Sequence, residues 1–372
     1  MKLTCPTDAL LTACQLVGAA VAARTTMPVL ANIKAVAEDD ALILTGTDQE
    51  VGIRYELRGV EVKRAGSAIL PPLKLIAILR ESTDETVSID AGEKGTSVKC
   101  GTGKYELLAG DPDQFPDFPT IDDADSYHEV NAGLLRTMIR RTAFAADKKE
   151  GTRWAVTGVL WEAEKDRVRL VATDTKRLAL IDGAAVIHGQ GTDPKGPSHL
   201  IPIKTIQLLE RHLTDDGEPI RIALRENAAM FQTARWMIHT KLVSGRFPPY
   251  RDIVPKKAGV KIPLDAPLFA ARVRQAQITS DEEAKRVDFT FAPGKLTLQA
   301  RGADVGSSEV TMKLEQYNGD ELKIAFDPSY VLEFFRAIDG EPNVLMEMTD
   351  SQKPAVFRLG DHYLYLIMPM GN

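Results

Sequence analysis

ILPPLKLIAILR at 69–80, LIPIKTIQLLERHL at 200–213 and IAFDPSYVLEFFRAI at 324–338 are three versions of one element: a strand end, a proline, then a short amphipathic helix. They recur at intervals of about 125 residues, a domain-sized period. A second family pairs LTGTDQEVGI at 44–53 with LVATDTKRLAL at 170–180, with a weaker copy in LTLQARGADVG at 296–306. A third is a helix opening each unit, in DALLTACQLVGAAVA at 8–22, NAGLLRTMIRRTAFAAD at 131–147 and LDAPLFAARVRQAQI at 264–278.

Between the helices lie segments of period two, such as ALILTGTDQEVGIRYEL, DRVRLVATDTKRLALI and KRVDFTFAPGKLTLQA, broken by Gly, Asp and Asn turns. They read as antiparallel strands with one wet face, the other covered by helices. The expected class is α+β: three repeated domains of two helices and antiparallel sheet, over residues 1–125, 126–256 and 257–372. The boundaries follow the Pro-rich, charged stretches FPDFPTIDDADS and FPPYRDIVPKKAG, which suit linkers. Each strand before a boundary exits through an aromatic and a proline; the chain closes on YLYLIMPM at 363–370, whose methionines suit a cleft that accepts varied partners.

The formal net charge of -6 argues against phosphate contact, but the cations cluster on helices. The opening helix of the second unit carries Arg136, Arg140 and Arg141, the first two on one face by their spacing of four. Its counterpart in the third unit carries Arg272 and Arg274, and the other helices add Lys74, Arg80, Lys204, Arg211 and Arg336. Acidic residues gather in loops at 111–125, 215–218 and 281–283. The pattern allows a basic helical surface on an acidic protein, or ordinary solvated helix faces.

Catalytic and metal-binding constellations are not found. Six histidines, at 128, 188, 199, 212, 239 and 362, form no H-x-x-x-H pair, and Cys5, Cys14 and Cys100 have no C-x-x-C spacing. Walker, dinucleotide and nucleophile-elbow motifs are missing, and GTGK at 101–104 reads as a hairpin turn. Asp48 and Asp174 recur in the repeated Thr-Asp element, which assigns them to turns or caps; a hydrolase using Asp48, Asp174 or Asp304 would need those carboxylates in one cleft. No cofactor, metal or membrane partner is expected, the thiols should be free, and no apolar run suits a span or signal, so a soluble cytoplasmic protein is expected.

Helices pack about 10 Å apart, so six closed side by side leave a bore of only about 9 Å, whereas twelve leave about 28 Å, room for a duplex about 20 Å wide. A ring that encircles DNA therefore needs two chains. With helices inside and sheets outside, strand edges would pair at two seams, and Arg and Lys facing phosphates would hold the duplex without reading its bases. A monomeric protein-interaction scaffold of the same repeats is the alternative.

LTGTDQE at 44–50, VATDTKRLAL at 171–180, TKLVSGRFPPYRDIVP at 240–255, DPSYVLEFF at 327–335 and the terminal YLIMPM, in this order over the whole chain, closely resemble the bacterial DNA polymerase III β subunit family of sliding clamps. The resemblance implies a DNA-clamp fold whose helices line a homodimeric ring, loaded onto double-stranded DNA by a clamp loader complex. It implies tethering of the replicative DNA polymerase and other clamp-motif proteins by peptides inserted in an apolar cleft. Carried residue by residue, that cleft falls on Val156, Thr173, Lys176, Arg177, Leu178, Pro248, Ile253, Leu366, Met368, Pro369 and Met370. A concave apolar pocket with a few polar groups is how a peptide anchor is held. The DNA contact near the first helix falls on Arg24, joined on physical grounds by Arg136, Arg140 and Arg141 and by Lys74, Lys204 and Arg272. The seam falls on Tyr105 to Leu107 and on Lys74 and Ile278, with Thr279 where the family is usually apolar. Thr175 and Lys176 replace a Gly-His pair, Ala155 an aromatic, and Gly371-Asn372 a basic residue and Leu, so a more cationic, less enclosed cleft is expected.

Overall fold

The structure is a computed structural model that describes residues 1–22, 24–92, 95–108, 110–121, 126–147, 155–189, 192, 198–214, 217–255, 259–281 and 285–371. Parts of the three acidic loops, the two linkers at 122–125 and 256–258, and Asn372 lie outside the described residues. The chain gathers into two compact units: Met1–Asn131 with His188–Gln190 and Asp216–Leu242, and Ala132–Ile187 with Gly191–Asp215 and Val243–Asn372.

Among the described residues seven α-helices are formed: α1 (Thr7–Gly18), α2 (Pro72–Glu81), α3 (Ala132–Thr142), α4 (Ile203–His212), the single turn α5 (Tyr250–Ile253), α6 (Ala266–Ala276) and α7 (Pro328–Ala337). Local chemistry starts them. Pro72 and Pro328 occupy first-turn positions, where the missing N–H costs nothing. Asp265 and Asp327 cap α6 and α7, accepting from the N–H of Leu268 and Ser329, both at 2.8 Å. Apolar residues at helical spacing then bury one face, as Leu135, Met138 and Ile139 do in α3.

The repeat is visible in the packing. Helices α1 and α2, α3 and α4, and α6 and α7 pair with one another. The first of each pair lies on a hairpin: α1 on Ala41–Thr47 and Val51–Arg58, α3 on Arg167–Thr173 and Arg177–Ala184, α6 on Gly294–Gly302 and Gly306–Leu314. Close approach is bought by small residues: a β-carbon on Gly46 would fall 2.8 Å from the Val17 carbonyl, and one on Gly183 would collide with the Met138 sulfur.

In the first unit, one antiparallel sheet runs through Tyr127–Asn131, Pro219–Leu224, Ala228–Gln232, Trp236–Lys241, Val51–Arg58, Ala41–Thr47, Ile33–Glu38 and Gly66–Leu70. In the second unit the order is Leu200–Pro202, Gly158–Glu164, Arg167–Thr173, Arg177–Ala184, Tyr363–Ile367, Ala355–Leu359, Asn343–Met348 and Val260–Asp265. The same junction recurs: Val51 pairs with Thr240 in one unit and Arg177 with Ile367 in the other. Each unit also has a smaller sheet. Gly103–Leu107 is an edge strand of the first and Gly306–Leu314 of the second.

Asp48 and Asp174 are turn residues, as expected. Asp48 accepts from the N–H groups of Glu50 and Val51, at 3.0 and 2.7 Å, and Asp174 from those of Lys176 and Arg177, both at 3.0 Å. The hydroxyls of Thr47 and Thr173 close both turns across the same four-residue step, onto the carbonyls of Val51 and Arg177. Gln49 and Thr175 take the positive φ that the turn demands, 73° and 76°. GTGK is a hairpin turn between Gly95–Cys100 and Gly103–Leu107. Cys5, Cys14 and Cys100 are free and buried.

Candidate peptide cleft and basic helix faces

The turn at 173–177 delivers Leu178 onto the strand beside Tyr363–Ile367, where it pairs with Leu366. Leu178 and Leu366 are buried in a cluster with Leu160, Val171, Leu200, Phe247, Tyr250, Val356 and Leu364. Val156 and Pro248 are also buried, while Ile253 and Met368 stand out at 43% and 39% exposure. Leu178, Leu366 and Val156 therefore belong to the core, and Ile253 and Met368 offer apolar surface to solvent.

Three tethers fix this segment and its neighbours. The N–H of Met368 donates to the Lys176 carbonyl and that of Met370 to the Ala325 carbonyl, both at 2.8 Å. Tyr250 reaches from α5 to the Glu162 carboxylate at 2.7 Å, which also takes Arg251 at 2.7 Å. Burial, with the Glu162 carboxylate second, pushes the Tyr250 hydroxyl well above its usual range, so it stays a donor.

Arg177, 7% exposed, donates to Asp174 at 2.9 Å, to Glu333 and to the Phe144 carbonyl at 2.8 Å. Its guanidinium lies 4.4 Å from the centre of the Tyr330 ring and 5.6 Å from that of Phe144. This is a buried ionic post rather than a free cation. Lys176 is exposed, and among the described residues no carboxylate partners it. Phe144, Tyr330 and Glu333 were missed from sequence; their only signal is the DPSYVLEFF stretch that carries two of them.

Arg24, which lies past the end of α1, is exposed, as are Lys74, Arg80, Arg136, Arg140, Lys204, Arg211, Arg274 and Arg336 on the helices, and Arg272 is half-buried. Arg141 corrects the expectation of a solvent-facing cation. It is 8% exposed, pairs with Glu341 at 2.8 Å, and sits 5.7 Å from the Tyr363 ring centre. One residue past Arg140 on a helix is about 100° around the axis, which turns it toward the packed side. At the expected seam, Ile278 is 74% and Tyr105 41% exposed, Leu107 and Thr279 are half-buried, and the Thr279 hydroxyl is buried with no hydrogen-bond partner among the described residues.

Two helices over antiparallel sheet, repeated along the chain, with basic exposed helix faces and a terminal strand closing an apolar cluster, define the three-domain clamp fold. Family models described as the DNA polymerase III beta subunit N-terminal, central and C-terminal domains match residues 1–119, 129–249 and 251–371. The beta sliding clamp of Chlamydia pneumoniae is 30% identical, covering 93% of this chain and 92% of its own. That of Pseudomonas putida is 30% identical over 100% of both chains. The crystal structure of the DNA polymerase III subunit beta from Pseudomonas aeruginosa matches with a TM-score of 0.90 at 29% identity over 100% of both chains. The DNA polymerase sliding clamp from Bacillus subtilis matches at 0.92, with 26% identity over 100% of this chain and 99% of its own. The chain belongs to the DNA polymerase III beta subunit family. It is thus a sliding clamp of DNA replication, a non-catalytic processivity factor. Among the described residues no helix is long and apolar enough to cross a membrane.

Proposed function

We propose that two copies of this chain close head to tail into a ring around duplex DNA, in the cytoplasm, and that the ring tethers the replicative polymerase and other clamp-motif proteins after a clamp loader places it. Each chain would contribute three domains, 1–125, 126–256 and 257–372, with helices inside and sheets outside. Twelve helices about 10 Å apart leave room for the duplex, which six do not. Exposed Arg136, Arg140, Lys74 and Lys204 would hold phosphates loosely, without reading sequence. Partner peptides would anchor between Ile253, Met368 and Met370 over the floor made by Leu178 and Leu366.

The observation that carries the ring is the pair of open sheet edges, Gly103–Leu107 and Gly306–Leu314, with exposed Tyr105 in the first strand, Leu108 just after it, and exposed Ile278 on the turn Gln277–Thr279 that packs against the second. Unpaired edges invite pairing, and the same chain supplies both halves of a head-to-tail seam. Light scattering over a dilution series tests this. A particle near twice 40.8 kDa is expected. A persistent monomer would favour the scaffold alternative, or a seam weakened by Thr279, whose hydroxyl has no partner among the described residues.

A further inference from the structure

Beside the terminal segment runs a groove lined by Pro369 and Met370 and by Asp288, Thr290, Lys323 and Gln352. It shares those first two residues with the proposed cleft, so a peptide crossing Met370 enters it directly. Its charges are unevenly committed. Arg286 holds Asp288 from two nitrogens, at 3.0 and 2.8 Å, and donates to the Gly371 carbonyl at 2.9 Å, latching the chain end in place. Asp174 and Glu333 are taken up by Arg177. Asp327 is occupied as the cap of α7. Lys323, in contrast, is 71% exposed at its side chain, and its nearest carboxylate, Glu321, lies 3.5 Å away and is itself 60% exposed. Such a pair is held weakly in water.

Lys323 also sits on an open edge. Its strand, Leu322–Phe326, ends the four-stranded sheet, and the Ala325 carbonyl on that edge already accepts from Met370. Strand alternation turns the main-chain groups of Lys323 to the same edge, where an extended peptide can continue the ladder. Lys176 supplies a second open cation on the far side of the Met368 tether. Of the charged side chains that line the groove, Arg286 and Asp288 hold each other, which leaves Lys323; Glu321 is not part of the lining.

We propose that this groove is a second recognition subsite, which takes a carboxylate side chain flanking the apolar anchors of a partner peptide, with Lys323 as its counter-charge. The inference rests on the cleft being the peptide site. It makes the protein discriminate among partners by the residues beside their motif, with the apolar anchors common to all.

The test uses three synthetic peptides with the same adjacent leucine and phenylalanine anchors and a flank carrying Glu, Gln or Lys, titrated by fluorescence anisotropy against the full chain and against Lys323→Glu. For the unaltered chain the Glu peptide should bind about threefold tighter than the Gln peptide at low salt, a typical yield for an exposed pair, and the margin should vanish at high salt. In Lys323→Glu the order of Glu and Lys peptides should reverse while the Gln peptide changes less than twofold. Equal binding of all three peptides, or an order untouched by Lys323→Glu, overturns the subsite and leaves the cleft standing. No binding of even the Gln peptide overturns the cleft and the subsite together.

Discussion

Arg177 and Glu333 are joined by an ion pair that spans 156 residues of chain, from the Thr-Asp turn of the second repeat to the last long helix. With Asp174 on the other side of the guanidinium and the Tyr330 ring beneath it, the pair ties the turn that presents Lys176 to the helix α7. The turn that presents Lys176 is therefore held by electrostatics as well as by apolar packing.

Replacing Arg177 by Met should lower the stability of the second unit by about 2–4 kcal/mol, because the carboxylates of Asp174 and Glu333 lose their shared partner where both are partly withdrawn from water. Lys in its place should recover little, since a single ammonium cannot span both acids in the forked geometry. Chemical denaturation of the three proteins checks this, and a Lys variant as stable as the parent would contradict it.

Arg140 and Arg141 are neighbours in sequence and should behave oppositely. Arg140→Ala and Arg136→Ala should each weaken binding to duplex DNA and reduce the salt slope by about one. Arg141→Ala should leave DNA binding within error and cost about 1–2 kcal/mol of stability, since it strands Glu341, which is 37% exposed at its side chain. Paired salt titrations and thermal melts separate the two roles.

The three thiols should be silent in the native protein. Burial pushes Cys5 up to about 12, with Cys100 a smaller cause, and burial also raises Cys14 and Cys100. Thiolate, the reactive form, is scarce in all three at pH 8. A chromogenic disulfide reagent should therefore find almost no thiol in the folded chain and all three in denaturant.

Acid should destabilise the fold already in the histidine range. Burial lowers His199, His212 and His239, with nearby Arg211 adding to the effect at His212 and Arg225 and Lys241 at His239. The unfolded chain then binds more protons than the native one below its ordinary histidine value of about 6.5, so stability rises with pH there and is lost as pH falls from about 6.5 through the lowered native values. Denaturation midpoints from pH 7.5 to 5.5 should decline, and a His239→Gln variant should decline less.

The helices and the Thr-Asp turns were legible because their causes are local: prolines and aspartates at helix starts, apolar residues at helical spacing, and a turn that an Asp and a Thr close within five residues. The clustering of Leu178 and Leu366 followed only from family resemblance, since no periodicity pairs residues so far apart in sequence. Arg141 was grouped with Arg136 and Arg140 as a DNA-facing cation although their spacing of four puts only those two on one face, and the helix turns Arg141 to the packed side. Glu333, Tyr330 and Arg286 escaped notice for the same reason: a charge on a strand or helix carries no mark of the distant carboxylate, ring or carbonyl that will meet it.

The most direct measurement of the ring is retention on circular DNA. The clamp, placed by its loader on a nicked circular duplex and freed of the loader, should remain bound at high salt and leave when a restriction enzyme linearises the circle, because a closed ring is held by topology and slides off an end. Release by salt from the intact circle, or retention on the linear product without blocked ends, would contradict encirclement and reduce the basic helix faces to ordinary electrostatic contact.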